Sequence, residues 1–276
     1  MQKEEIVRYY DQCQIDYSLF WDLNHSRAMH AGYWDETTRS LRDALKRENE
    51  VLAERVRICK RDRVLDAGCG VGGSSLFLAQ KYGCDVVGIS LSGKQVQRAS
   101  TIAEKAQIHP KPSFLVGDYT HTGFEKHSFD VVWAVESVCH ASNKEDFVAE
   151  AARLLKTGGR LILADGFALK DHPLMDKWLK GWGVPSLETA EDFIAMLKRH
   201  GFSNIEFQDA TPHVMPSAKR LYLYSLFGVP LSKLGEWVGL RTSVQTENLL
   251  SARYHYQALK QGLWQYGIVS AKRSLI

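Results

Sequence analysis

Between residues 63 and 165, short unbroken runs of apolar and β-branched residues alternate with longer segments whose apolar positions recur every three to four residues. The runs at 63–66, 85–89, 113–116, 129–135 and 160–164 predict strands. The segments 73–82, 93–107 and 144–155 predict helices, the last one stopped at Gly158-Gly159. Strands that are apolar on both faces and separated by helices belong to a parallel sheet covered on both sides. Beyond residue 165 the pattern changes. An amphipathic helix is expected over 188–200, ended by Gly201, then a strand over 204–209 and a last strand over 264–271. The fold class is therefore α/β, a doubly wound, seven-stranded, mostly parallel sheet. The intervening stretch, 211 to about 260, is aromatic-rich and mostly helical, and is too long for a simple connection. It reads as a helical cap inserted in a domain spanning 46–276, with residues 1–45 as an N-terminal lid. Cap and sheet together would enclose a pocket above the carboxyl ends of the strands, where open α/β sheets bind ligands.

Composition narrows the function classes. Of 276 residues 45% are apolar and 24% charged, enough to bury a large core and too apolar for a disordered chain. Lys+Arg 35 against Asp+Glu 32 leaves +3, and no basic run stands out, so no nucleic-acid partner is expected. Five cysteines (Cys13, Cys59, Cys69, Cys84, Cys139) form no CxxC pair and no metal-ligand spacing, which fits reduced thiols in a cytoplasmic protein without a bound metal. The opening MQKEEIVRYYDQ is charged where a signal peptide would be apolar. The apolar patch at 221–229 is too short to span a bilayer but leaves room for a peripheral membrane contact.

The most informative segment is Asp66-Ala67-Gly68-Cys69-Gly70-Val71-Gly72-Gly73, between a strand and a helix. Glycines there let a ligand approach the backbone, and the helix N-terminus presents free N–H groups. The spacing Gly68-x-Gly70-x-x-Gly73 is also the dinucleotide fingerprint, which calls for an acid at the end of the next strand to hold a ribose. Here that place reads Gly88-Ile89-Ser90-Leu91-Ser92, with no acid.

Together VLDAGCGVGGSS (64–75), GDY (117–119), FDVVWAVES (129–137) and LLKTGGRLILAD (154–165) resemble the class I S-adenosylmethionine-dependent methyltransferases in order and spacing. The resemblance implies S-adenosylmethionine as cofactor, its methionine part cradled by Asp66, Gly68, Cys69 and Gly70 and its adenine beside Asp118 and Tyr119. GISLSGKQ (88–95) is similar to a subgroup in which Ser90 and Gln95 stand in for the ribose-binding acid. AVESVCHAS (134–142), RYYDQ (8–12), MHAGYWD (29–35) and YGIVSAKR (266–273) resemble segments of sterol and tocopherol-type C-methyltransferases. By that likeness Tyr9 and Tyr10 would close over the cofactor. Tyr10 and His30 join the catalytic candidates, and Tyr33 accompanies His30 in the lid.

Methyl transfer from a sulfonium is an in-line displacement, so the enzyme aligns the partners and excludes water. A neutral carbon nucleophile becomes cationic on attack and then needs a base. Glu136 and His140, four apart beyond a strand end, would share one face of a helical turn and point into the pocket, with Glu136 also near the cofactor. Trp178, Trp182, Tyr222, Tyr224, Phe227 and Trp237 line an apolar cavity or form the cap's own core, and Arg220 and Arg253 meet an anionic group of the acceptor or face water. The expected reaction is C-methylation of an isoprenoid, sterol-like or prenylated aromatic small molecule. The alternative is N- or O-methylation of a small polar or alkaloid-like metabolite.

Overall fold

All seven expected strands lie in one sheet: β1 (Arg63–Ala67), β2 (Asp85–Ser90), β3 (Ser113–Val116), β4 (Phe129–Val135), β5 (Leu155–Ala168), β6 (Phe202–Asp209) and β7 (Trp264–Arg273), in the computed structural model, which describes residues 12–13 and 27–274. Their order is β3-β2-β1-β4-β5-β7-β6, with β7 antiparallel to both neighbours and the other pairings parallel. The order reverses beside β1, so the turns leaving β1 and β4 splay apart and open a crevice at their carboxyl ends.

Side-chain alternation divides the core into two layers. Val64, Val131, Trp133 and Ile162 pack on one face under α1 (Leu41–Arg55), α2 (Gly73–Tyr82) and α3 (Gly93–Ala106). Leu65, Val132, Ala134 and Leu161 pack on the other under α4 (Lys144–Leu154) and α6 (Ala190–Arg199). Trp133 is completely buried, and truncating such a side chain costs about 3–5 kcal/mol.

Two features depart from the expected pattern. The helix over 144–155 ends at Leu154, and β5 begins at once, ahead of the glycine pair. Gly158, at φ +74°, takes up a slip in register between the Phe129–Leu155 and Val131–Arg160 pairs, so the glycines form an irregularity within the strand. A helix not expected from periodicity, α5 (Pro173–Gly181), follows β5. The His172 side chain caps it, Pro173 starts it, and Met175 and Trp178 bury its inner face. The cap stretch is helical, as expected, and forms α7 (Thr211–Trp237) and α8 (Ser243–Lys260), packed on each other, with α8 also on α5. α7 runs through Pro216 and Pro230. Pro230 has no N–H for the turn before it, and Arg253 of α8 donates there to Ser225 O (2.7 Å) and Leu226 O (3.4 Å). Arg253 therefore mends a helix, and Arg220 lies over the Tyr224 ring at 5.1 Å.

Candidate active site

The turn leaving β1 owes its shape to close packing. Gly68 has φ +92°, and a Cβ there would lie 2.4 Å from Ser137 Cβ. Ser137 itself clamps the loop after β4 onto the loop after β1, its hydroxyl donating to Ala67 O at 2.6 Å. α2 then starts at Gly73 with no side-chain cap, which suits a ligand that accepts from its first N–H groups. Asp66, Gly68, Cys69, Gly70, Ser90, Gln95, Tyr119, Glu136 and His30 all line one open cleft of ≈ 910 Å³ at this turn. Asp66 accepts from the Ser75 hydroxyl, and burial pushes its carboxyl up to about 6. Burial also raises the Cys69 thiol, which stays neutral. The Ser90 hydroxyl donates to Gln95 Oε1 at 2.8 Å, a neutral pair where a dinucleotide site would carry an acid.

Tyr119 reaches the cleft and donates to Ser137 O at 2.8 Å. Asp118 does not line it; its Oδ1 accepts from the amide and hydroxyl of Thr120 and shapes its own loop. Tyr9 and Tyr10 lie outside the described residues. Tyr33 stacks on His213 at 3.8 Å and lines neither this cleft nor the cavity beyond it.

That cavity, ≈ 1100 Å³, is walled by Trp178, Trp182, Trp264, Tyr266, Leu221 and Tyr224, with Asp165 and Glu136 at one side. No lysine or arginine is among its described lining residues. Cleft and cavity meet at Met29, Glu136 and His140, which line both. Of the other cap aromatics, Tyr222 packs on Tyr256, while Phe227 and Trp237 are 76% and 83% exposed and belong neither to a cavity nor to a core.

Glu136 and His140 do reach a common place, but not on a helix. Glu136 leaves β4 at φ +45°, a left-handed conformation that costs a non-glycine residue about 1–3 kcal/mol. A single 3-10 turn, Val138–His140, follows. Two buried charges hold that turn: Asp165 accepts from Cys139 N at 2.9 Å, and Lys144 Nζ donates to Cys139 O, Ala141 O and Ser186 O. His140 pairs Nδ1 with Gly183 O at 3.2 Å. Burial pushes its imidazole down to about 4, so it is neutral at pH 7; with Nδ1–H donating, its lone pair sits on Nε2.

Around Glu136 the MHAGYWD segment forms a belt. Ala31 N donates to Glu136 Oε1 at 2.6 Å, and Gly32 N donates to Glu48 Oε2 at 2.8 Å. Gly32, at φ +77°, has Ala44 C 2.9 Å from where a Cβ would be, so only glycine fits. His30 Nδ1 lies 2.5 Å from Glu48 Oε2. Burial opposes a charge on His30, but Glu48 outweighs it and holds the imidazole above its ordinary value. The residue lines the cleft, and its Nε2 is buried with no partner among the described residues. The Tyr266 hydroxyl approaches both Glu48 (2.7 Å) and Glu136 (3.0 Å). One hydroxyl proton cannot serve two carboxylates, so the network is relieved when one carboxyl is protonated. Burial, then the Glu48 charge, push Glu136 up to about 8.

Sequence reasoning did not single out Glu48, Tyr266 or Lys144. Glu48 had left a trace: with Asn49 it interrupts the inward stripe Ala44, Leu45, Leu52, Ala53 of α1. Tyr266 and Lys144 are ordinary in their local patterns.

Comparison with known proteins fits this geometry. A family model described as "Methyltransferase domain" matches residues 65–163. The chain is 32% identical over 218 residues to 27-O-demethylrifamycin SV methyltransferase of Amycolatopsis mediterranei (strain S699), covering 77% of the chain and 79% of the relative. It is 28% identical over 297 residues to the chloroplastic tocopherol O-methyltransferase of Arabidopsis thaliana, covering 99% and 83%. Among solved structures, mycolic acid cyclopropane synthase CmaA1 complexed with SAH and CTAB superposes with a TM-score of 0.83 at 18% identity, covering 99% of this chain and 98% of that one.

Proposed function

Because the chain belongs to the class I S-adenosylmethionine-dependent methyltransferases, we propose that it methylates a lipophilic small molecule held in the tryptophan-lined cavity, with Glu136 as proton acceptor. The observation that carries this reading is the junction: the glycine-turn cleft and the apolar cavity meet at Glu136 and His140. S-adenosylmethionine supplies a methyl carbon on a sulfonium, open to displacement by an in-line nucleophile. Asp66, Gly68, Cys69 and Gly70 take its methionine part, with the His30 Nε2 donor turned to the amino-acid carboxylate. The Ser90–Gln95 pair takes the ribose, and Tyr119, with Asp118 on its loop, the adenine. Residues 1–45, with Tyr9 and Tyr10, act as lid and 211–260 as cap.

An alkene or phenol ring attacking through carbon gains positive charge and then loses a proton. The aromatic walls tolerate that charge, and Glu136 receives the proton. Its raised pKa makes it a stronger base than His140, and a neighbouring cation lowers it back into the carboxylate form. His140 orients the acceptor. A relative named as a sterol 24-C-methyltransferase supports C-methylation of a sterol-like acceptor, and the tocopherol relative supports a prenylated aromatic one. The names of two relatives favour a second reading, O-methylation (or N-methylation on the same scaffold), in which the nucleophile brings its own lone pair. Methyl-¹³C cofactor with a panel of prenylated quinols, sterols and alkaloid amines separates them. Label on carbon supports the first reading, label on oxygen or nitrogen the second, and no product from any acceptor refutes both.

The second half of α7 presents Leu223, Phe227, Leu231, Leu234 and Trp237 to solvent, with exposed Lys219 and Lys233 beside them. Tyr224 belongs to both this surface and the cavity wall. The positive, apolar face fits an anionic bilayer surface from which a lipophilic acceptor enters. Vesicles containing phosphatidylglycerol should sediment the protein and lose it on Phe227→Asp. Absence of binding, or self-association through this face in light scattering, overturns the contact. No described helix is long and apolar enough to cross a membrane, and five free cysteines support a cytoplasmic setting.

A further inference from the structure

One wall of the acceptor cavity is an imidazole boxed by three indoles. The His255 ring, on α8, lies 4.6 Å from Trp182 and 4.7 Å from Trp264, tilted 35° and 40° to them, and 4.9 Å from Trp178 at 66°. Two of the indole N–H groups have partners: Trp182 Nε1 donates to Asn248 O and Trp264 Nε1 to His255 O. His255 Nδ1 and Trp178 Nε1 are buried and have no hydrogen-bond partner among the described residues. Buried polar groups are nearly always hydrogen-bonded, and a phenylalanine would fill this box without leaving nitrogen unpaired. Burial alone pushes His255 down to about 3, so the ring is neutral at physiological pH, with one N–H and one lone pair to offer.

We propose that His255 is the specificity-determining residue of the cavity, docking a neutral hydroxyl group, phenolic or alcoholic, on an otherwise apolar acceptor. A hydroxyl donates and accepts, as a neutral imidazole does. An anionic group is disfavoured, since no lysine or arginine is among the described lining residues. Trp264 beside the imidazole and Tyr266 beside Glu136 are two residues apart on one face of β7. The docked hydroxyl is thereby set off from the proton acceptor by roughly 7 Å of strand. The acceptor has its polar group at one place and its reacting atom about one ring width away. This rests on the reading of the cavity as the acceptor site.

The test compares 4-nonylphenol with nonylbenzene, which differ by one hydroxyl. Their binding to the protein saturated with S-adenosylhomocysteine is read by quenching of tryptophan fluorescence. The wild type is expected to prefer the phenol by about tenfold or more. His255→Phe should bring the phenol down to the hydrocarbon's affinity, leave nonylbenzene and S-adenosylhomocysteine binding unchanged, and so report intact folding. His255→Gln, which keeps a donor and an acceptor, should restore part of the preference. Equal affinities in the wild type, or a preference that survives in His255→Phe, overturn the proposal while leaving the cavity as acceptor site. Failure of both probes to bind removes the cavity's assignment and the proposal with it. Should His255→Phe not fold, the wild-type comparison and His255→Gln still decide.

Discussion

The cleft at the glycine turn and the tryptophan-lined cavity share a wall yet are built differently. The cleft is centred on one strand–turn–helix unit, residues 66–75, whose grip lies in backbone shape and N–H groups. The cavity is assembled from β5, α5, α7, α8 and β7, and its character lies in side chains. A grip made of backbone holds one ligand and tolerates few substitutions. A cavity made of side chains can be reshaped one residue at a time without disturbing that grip. Glu136 stands where the two meet.

Breaking the shared wall should have the largest effect. Glu136→Gln is expected to lower kcat by about 10²–10⁴-fold while S-adenosylhomocysteine affinity, measured by calorimetry, changes little. A kcat within threefold of wild type would remove Glu136 as the base. Next comes the cleft alone: in Gly68→Ala the new methyl meets Ser137 and the backbone sits at φ +92°, so cofactor affinity should fall on the order of 100-fold, with a lower Tm. A smaller effect follows from charge. The Glu136 carboxyl, raised to about 8 by burial and Glu48, is mostly protonated at pH 7 and mostly ionised at pH 9. An ionised carboxylate favours the sulfonium, so preference for S-adenosylmethionine over the neutral S-adenosylhomocysteine should grow by up to about tenfold from pH 7 to 9. In Glu136→Gln the preference should stay flat.

A further effect is on stability, with the opposite sign to activity. The folded pKa of Glu136, about 8, lies above its ordinary value of 4.5, so the fold favours the neutral carboxyl and wild-type stability is lost as pH rises from about 4.5 to 8. Glu136→Gln is always neutral and keeps an oxygen for Ala31 N. The cofactor-free variant should therefore gain Tm over wild type at pH 9 and little at pH 4.

The glycine turn at the centre of the cleft was legible before the fold was known, because its residues are neighbours in the chain. The strand at 63–66, the glycines after it and the helix from Gly73 appear within a residue of where periodicity placed them. The missed helix α5 has only nine residues, too few for its period to stand out, and is recognisable chiefly by the His172 cap and Pro173. Expecting Phe227 and Trp237 inside failed because hydrophobicity alone does not say which side of a helix meets the core.

Adjacent residues settled the sheet's strands, the glycine turn and the reaction class, since hydrogen-bonding period and backbone freedom are local properties carried by short stretches of chain. The proton state of Glu136 and the imidazole among the indoles emerged only on folding. Glu136 meets Ala31 from 105 positions away and Tyr266 from 130, and Glu48 meets Tyr266 from 218. Burial and a second carboxylate, which set a buried group's charge, are supplied by elements that no window along the chain contains.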